Sequence, residues 1–595
     1  MKSKRLSDPS TTIIKSDLKR FWILSLIAFV VLFLSGAFIF LMSYTGIELT
    51  EAPFRNNNNI GFIFAYILLG CGSGILCFNY MVNKKAANYF HALPVKRSRM
   101  FAAHYIAGAI LIAVPVILNG TILTALAGLR FAGDYAVMTA IGILIAMVMY
   151  AITILAATVS GNIVMHVFCT GFFNGFATMI LLISGSYMGA LLFGYSSSET
   201  MNELIKNSLV VFAFRNGVGL AVLISYVAVL VTVSILACLI YRIRSVENTG
   251  DSLMFGWTKQ IVPGLVTILG AALSGLVSDA LLGQKYGINA ALVSGIVAGF
   301  IISFIIISVI TEKNQRIFTR RNMTSFAVSA LIVILCIGTL STDVMGYGSK
   351  IPAAESVRSA GVKMFCGELL MEERMNAKNF DVSRQQVGKG VVSGDYEFLM
   401  MMSDNENIKQ ALAVQKIIGE RKKEILNTDK YDVKYQYSSA FDSEGRIIKR
   451  GYEAIDPATE KKIRPHLKKI FESDEVKQGY RLTNLRYLVY SAEYYKSDSE
   501  DPKVIPKEKL SSLITALDKD FVDMTYEEYL KAAYGSEDDV GAGRFIERKI
   551  SIELYDNEGK AQRKTAYPDD DYIGTMDMNL TKAYEHTNRW IKENL

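Results

Sequence analysis

Only one of the six cysteines in this 595-residue chain, Cys366, falls outside a strongly apolar run, so the polar half of the sequence cannot close a disulfide within itself. The other five, Cys71, Cys77, Cys169, Cys238 and Cys336, sit among aliphatic neighbours, where a thiol behaves as a small hydrophobe. No CxxC pair occurs and the five histidines are scattered, which argues against a zinc site. The phosphate-cradling GxxxxGK[ST] stretch is also missing. Its nearest approach, Gly388-Lys389-Gly390, lacks the leading glycine and the following hydroxyl residue, so ATP cannot be held in the P-loop manner. HExxH and GxSxG are absent, leaving metalloprotease and serine-hydrolase readings without an anchor. Charge is scarce inside the apolar runs. Ion-coupled carriers need a titratable group at bilayer depth, and the candidates here, His104, His166 and Asp279, each lie near the end of a run.

What is present is apolar length. Runs long enough to cross about 30 Å of hydrocarbon recur near 21–42, 60–82, 100–123, 136–159, 162–190, 217–240, 261–282, 288–310 and 324–341. The first, FWILSLIAFVVLFLSGAFIFLM, follows KSDLKR. It is too long for a signal-peptide core and is read as an uncleaved first helix. Up to Leu340 there are 23 Lys+Arg against 11 Asp+Glu; beyond it, 40 against 45. The basic excess belongs to the apolar half, which marks membrane topology and no nucleic-acid partner. Cations gather in alternate connections, around Lys84–Lys85 and Lys96–Arg99, at Arg242–Arg244 and at Lys313–Arg321. The positive-inside rule then places the N-terminus in the cytoplasm, and nine spans leave everything after about 342 outside the cell. Small-residue pairs at Gly70/Gly74, Gly171/Gly175 and Gly295/Gly299 would let helices approach closely.

Beyond residue 342 the pattern changes. IKQALAVQKIIGERKKEIL, TEKKIRPHLKKIFE and KEKLSSLITALDKDF carry apolar residues at helical spacing. VKYQYSSAFDSEGRIIKRGYEAI and RFIERKISIELYDNEGKAQRKTAY read as hairpins, each turning at a Glu-Gly pair shortly after an aspartate. MNLTKAYEHTNRWIKENL closes the chain as an amphipathic helix with Trp590 on its apolar side. The expected fold is a mainly α membrane protein of about nine transmembrane helices, followed by a C-terminal α+β extracellular domain, large enough for one core or two small subdomains.

A transporter without an energy site must receive motion through a cytoplasmic contact, and residues 87–101, ANYFHALPVKRSRMF, are the best candidate. In helical register Tyr89, Phe90 and Leu93 make an apolar face, while Lys96, Arg97 and Arg99 can meet headgroups or an acidic partner. Pro94 breaks the short helix and turns the chain toward the third span.

FHALPVKRSRMFAAHYIAG resembles the element preceding the third helix of ABC-2-type permeases. YRIRSVENTGDSLMF (241–255) is similar to that family's cytoplasmic tail after the sixth helix, and TTIIKSDLKRFW to its interfacial lead into the first span. The resemblance covers roughly residues 10 to 255. It implies an interfacial segment at 1–20, a six-helix permease core at 21–255, three additional spans at 256–341 and the extracellular domain at 342–595. It further implies that Tyr89, Phe90, His91, Leu93, Pro94 and Arg97, with Arg242, Arg244 and Glu247, meet a cytoplasmic ABC ATPase. That subunit, and not this chain, would bind ATP. A second permease subunit, identical or related, and membrane lipid would be the other partners. The implied function is ATP-driven export or envelope defence in a bacterial cell membrane, against a peptide, antibiotic or lipid-linked substrate. The junction STDVMGYGSKIPAAESVRSAGVKM resembles that of a subgroup carrying a C-terminal extracellular domain. The rival readings are a membrane receptor that senses ligand through its outer domain, and a secondary transporter.

Overall fold

In the computed structural model of the chain, the residues described are 9–44, 49, 52–54, 59–196, 199–214, 219–283, 285, 287–312, 317–344, 346–348, 350–365, 401–428, 435–443, 446–479, 481, 487–495, 503–529, 549–556, 572–580 and 584–595. Among them, nine helices are long and apolar enough to cross a membrane, the organisation of a multi-pass membrane protein. The chain divides into two compact units. One comprises residues 1–186, 199–280 and 291–337, and the other 187–198, 281–290 and 338–595.

The helical unit begins with α1 (Pro9–Phe33), which continues through a π-helical stretch, Leu34–Phe38, to Ser43. Residues 9–20, within the stretch expected as an interfacial lead into the first span, are the first turns of this helix. The cause is a stripe of buried residues, Ile13, Asp17, Leu24, Ala28 and Leu32, that recurs every three to four or seven positions and holds one face inward from the start. Next come α2 (Ile60–Cys77), a 3-10 turn at Asn79–Met81, the nine-residue α3 (Lys84–Ala92) and α4 (Arg97–Ala127). The remaining helices of this half are α5 (Ala132–Val159), α6 (Ile163–Leu191), α7 (Glu199–Ser208), α8 (Leu220–Ile243), α9 (Thr258–Leu282), α10 (Ala290–Glu312) and α11 (Arg320–Ser341). The long fifth run is one continuous helix, α6, and contains no re-entrant break.

Two small-residue pairs are consumed by helix crossings. A Cβ on Gly70 would stand 2.6 Å from the Ala146 carbonyl of α5, and one on Gly74 would stand 2.5 Å from Thr153 Cγ2. Gly295 and Gly299 of α10 meet Ser278 and Ser274 of α9 as closely, at 2.4 and 2.3 Å. A Cβ on Gly171 or Gly175 of α6 would meet no described atom of another element within 4 Å.

The second unit is built from the same pattern twice. Its first half runs β1 (Val357–Phe365), β2 (Met401–Met402), α12 (Asn405–Glu420), α13 (Lys422–Leu426), β3 (Tyr435–Ser443), β4 (Arg446–Ile455), α14 (Pro457–Phe471) and α15 (Asp474–Gly479). The second runs β5 (Tyr487–Tyr495), β6 (Lys503–Val504), α16 (Lys507–Asp523), β7 (Lys549–Asp556), β8 (Tyr572–Asn579) and α17 (Glu585–Asn594). Each half folds a four-stranded antiparallel sheet in equivalent order, β2-β1-β3-β4 and β6-β5-β7-β8. Ser443 pairs with Arg446, as the first expected hairpin requires, and its turn at Glu444-Gly445 lies outside the described residues. The second hairpin departs from expectation. β7 pairs with residues 572–579, while the expected turn at Glu558-Gly559 and the return arm AQRKTAY lie outside the described residues. Likewise α17 starts only at Glu585, because Met578 and Asn579 belong to β8. The halves share one core, which includes Phe441, Leu467, Phe471, Leu513, Leu517 and Phe521. Lys477 ties them together, donating from Nζ to the carbonyls of Phe521 (2.7 Å) and Met524 (2.5 Å) above the Phe471 ring. Phe193, from the segment after α6, enters the same core against Tyr452 at 4.9 Å between ring centroids.

Candidate functional site

The segment between the second and third spans folds as its residues demand. Asn83 caps α3 by accepting from the Lys85 and Ala86 amides at 3.1 and 3.3 Å. Pro94 disfavours helical backbone at Leu93, which is extended at ψ 144°, and α3 stops at Ala92. Residues three apart share a helix face, so buried Ala87 and Phe90 look inward together. Tyr89, one residue and about 100° away, is 65% exposed. The sequence expectation grouped Tyr89, Phe90 and Leu93 on one apolar face turned to the partner. Phe90 instead packs on the bundle, and the outward aromatic is Tyr89. Leu93 and His91 are half-buried and Pro94 is exposed.

Behind α3 lies a dense aromatic layer. The Tyr80 ring stacks on His104 of α4 at 4.4 Å between centroids, and Phe90 meets the same imidazole edge-on at 5.2 Å. Phe78 stands 6.1 Å from it. His104 is itself buried, and its Nδ1 lies 2.5 Å from the carboxylate of Asp17 on α1, which is buried too. The Tyr150 hydroxyl of α5 donates to the His104 carbonyl at 3.1 Å. His91 lies beside Tyr241 of α8 at 6.0 Å. Burial, with Arg97 and Arg244 nearby, holds the His91 imidazole below the ordinary histidine pKa.

Two arginines fasten this layer to the segment after the sixth span. Arg97 donates from Nη1 to the carbonyls of Arg244 (2.7 Å) and Arg242 (3.1 Å). Arg244 is buried, and its planar fork donates to the carbonyls of Ala157 (2.5 Å), Thr158 (3.0 Å) and Met81 (2.5 Å). Burial lowers its pKa to about 10, which leaves it charged at neutral pH. The chain then runs alongside the turn between α5 and α6. Gly161 exchanges backbone bonds with Gly250 and Ser252, and Met254 donates to Val159. A Cβ at Gly161 would lie 2.4 Å from the Asp251 carbonyl, so glycine is needed for that approach.

Of the nine residues singled out in the sequence, Tyr89, Phe90, His91, Leu93 and Pro94 lie on or just after α3. Arg97, Arg242 and Arg244 are joined to that region by hydrogen bonds. Glu247 is exposed on the following segment, outside this network.

No family model, curated protein or solved structure matches this chain.

Participants that escaped the sequence reading include Asp17, Tyr80 and Gly161. Asp17 had a signal, because it occupies the same helical face as Ile13, Leu24, Ala28 and Leu32. Tyr80 and Gly161 carried none that spacing reveals.

Proposed function

We propose that this chain is the membrane-spanning permease subunit of a bacterial ABC transporter, working in export or envelope defence with a separate cytoplasmic ATPase. In this reading α3 is the docking helix and Tyr89 its outward anchor. The observation that carries it is the pinning of both flanks of α3, Met81 before it and Arg97 after it, to the segment after the sixth span. Residues some 150 positions apart in sequence, which the family resemblance assigns to one ATPase contact, meet through Arg97 and Arg244. The N-terminus and α3 would face the cytoplasm, the duplicated C-terminal unit would lie outside, and ATP would bind to the partner alone.

The test is affinity measured per inserted chain in nanodiscs. Burying an exposed aromatic of this kind stabilises by about 1.5–3 kcal/mol, and about 1.4 kcal/mol is tenfold in affinity. Tyr89→Ala should therefore weaken binding of the ATPase about tenfold or more while membrane insertion is unchanged. Phe90→Ala should act differently, lowering the stability of the chain itself. Unchanged affinity in Tyr89→Ala, or ATP hydrolysis by the rigorously purified chain alone, would remove the permease reading.

A further inference from the structure

We propose that Asp17 and His104 are positioning residues, whose buried contact seats α3 against the bundle and passes its displacement to the first span. The His104 imidazole has Asp17 of α1 on one side and the rings of Tyr80, Phe78 and Phe90 around it. Its Nε2 is buried with no hydrogen-bond partner among the described residues. The orientation of the ring therefore rests on the Nδ1 bond to Asp17. If that bond is lost, the imidazole can turn and the surface under Tyr80 and Phe90 goes with it. α3 buries little else, since only Ala87 of its nine residues is fully enclosed.

The other side of the contact leads into the membrane. Asp17 belongs to the stripe Ile13, Leu24, Ala28 and Leu32, along which α1 packs on the bundle, and Ser25 donates to the Leu111 carbonyl of α4 at 2.7 Å. A movement of α3 that reorients His104 is thus felt by α1 at its packed face. Stability alone does not call for such a pair, because apolar side chains of similar volume often replace buried ion pairs without loss. What the pair adds is a fixed geometry between three elements.

The functional meaning rests on α3 being the docking helix, but its seating can be measured in the chain alone. In the full chain in nanodiscs, Ala87→Cys gives a reporter that is 1% exposed when α3 is seated, and Tyr89→Cys an exposed control. Maleimide labelling is read at each position by peptide mass spectrometry, so native cysteines do not interfere. Asp17→Asn and His104→Gln should each speed labelling at position 87 by about tenfold through local opening, leaving position 89 unchanged. Asp17→Glu, which keeps the carboxylate, should stay near the parent rate. With the ATPase added, Asp17→Asn should bind it as the parent does yet lose the stimulation of hydrolysis. An unchanged rate at position 87 overturns the proposal, as does equal acceleration at both positions. Failure of both variants to insert also overturns it, because the pair would then be a folding requirement. If position 87 responds but no ATPase binds the parent chain, the permease reading falls and the positioning role stands.

Discussion

Arg244 is the residue on which the aromatic layer closes, because one planar fork satisfies three carbonyls on two separate stretches of chain. A lysine keeps the charge but cannot hold that fork, and each acceptor left without a donor costs about 1–3 kcal/mol. Arg244→Lys should therefore lower the thermal midpoint of the purified chain, and Arg244→Ala should lower it further; a thiol-reactive melting assay in detergent reads both. His91 supplies a pH dependence with a definite sign. Its folded pKa lies below the ordinary 6.5, so the released state binds the extra proton. The contribution of neutral His91 is present above about pH 6.5 and fades as pH falls. Labelling of Ala87→Cys, taken as a ratio to the exposed Tyr89→Cys so that loss of thiolate cancels, should rise on acidification, and His91→Gln should flatten that response. The sequence identified these two residues through a family pattern but left Asp17 among the cations of KSDLKR, because its partner lies 87 positions away and pairing at that distance leaves no local trace.

Among the elements, the crossing of α2 on α5 depends on having no side chain at Gly70 and Gly74. Gly70→Val should push the helices apart and destabilise by roughly 1–3 kcal/mol. The same change at Gly171, where an added Cβ would meet no described atom of another element within 4 Å, should leave the melting midpoint of the isolated chain within error. Spacing alone cannot separate the two cases: all three pairs read identically in sequence, and the difference is made by what stands opposite. Hairpins show a similar boundary. β3 and β4 are legible as a hairpin because the paired Ser443 and Arg446 are close in sequence. β7 and β8 pair across a much larger sequence separation, Tyr555 with Tyr572, so no local pattern sets their register. The apolar helices, by contrast, were legible in number and order, though not at their ends, since twenty apolar positions in a row allow few other structures.

For the whole molecule, the sequence already separated a basic apolar half from an acidic polar one, though it left open whether the latter was one domain or two. The answer is a repeated unit with a common core, hidden in sequence because the repeat conserves strand order more than residues. Under the proposed function, the positive-inside reading of the sequence puts α3 in the cytoplasm and the chain after residue 342 outside the cell. An impermeant maleimide applied to intact cells should therefore label Ser511→Cys, exposed on α16, and miss Ser98→Cys, exposed beside α3. Labelling of Ser98→Cys would reverse the orientation and take the docking argument with it.

Phe193 sets an order of events. The ribosome delivers this ring, with the segment 187–198, well before β4 and the Tyr452 it packs against exist. Until β4 arrives, an apolar side chain destined for a core stands uncovered at the end of a finished helix. Completion of the C-terminal unit is thus a late step of synthesis that reaches back to an early one. A fragment begun at residue 342 would lack a piece of its own interior, however complete its strands.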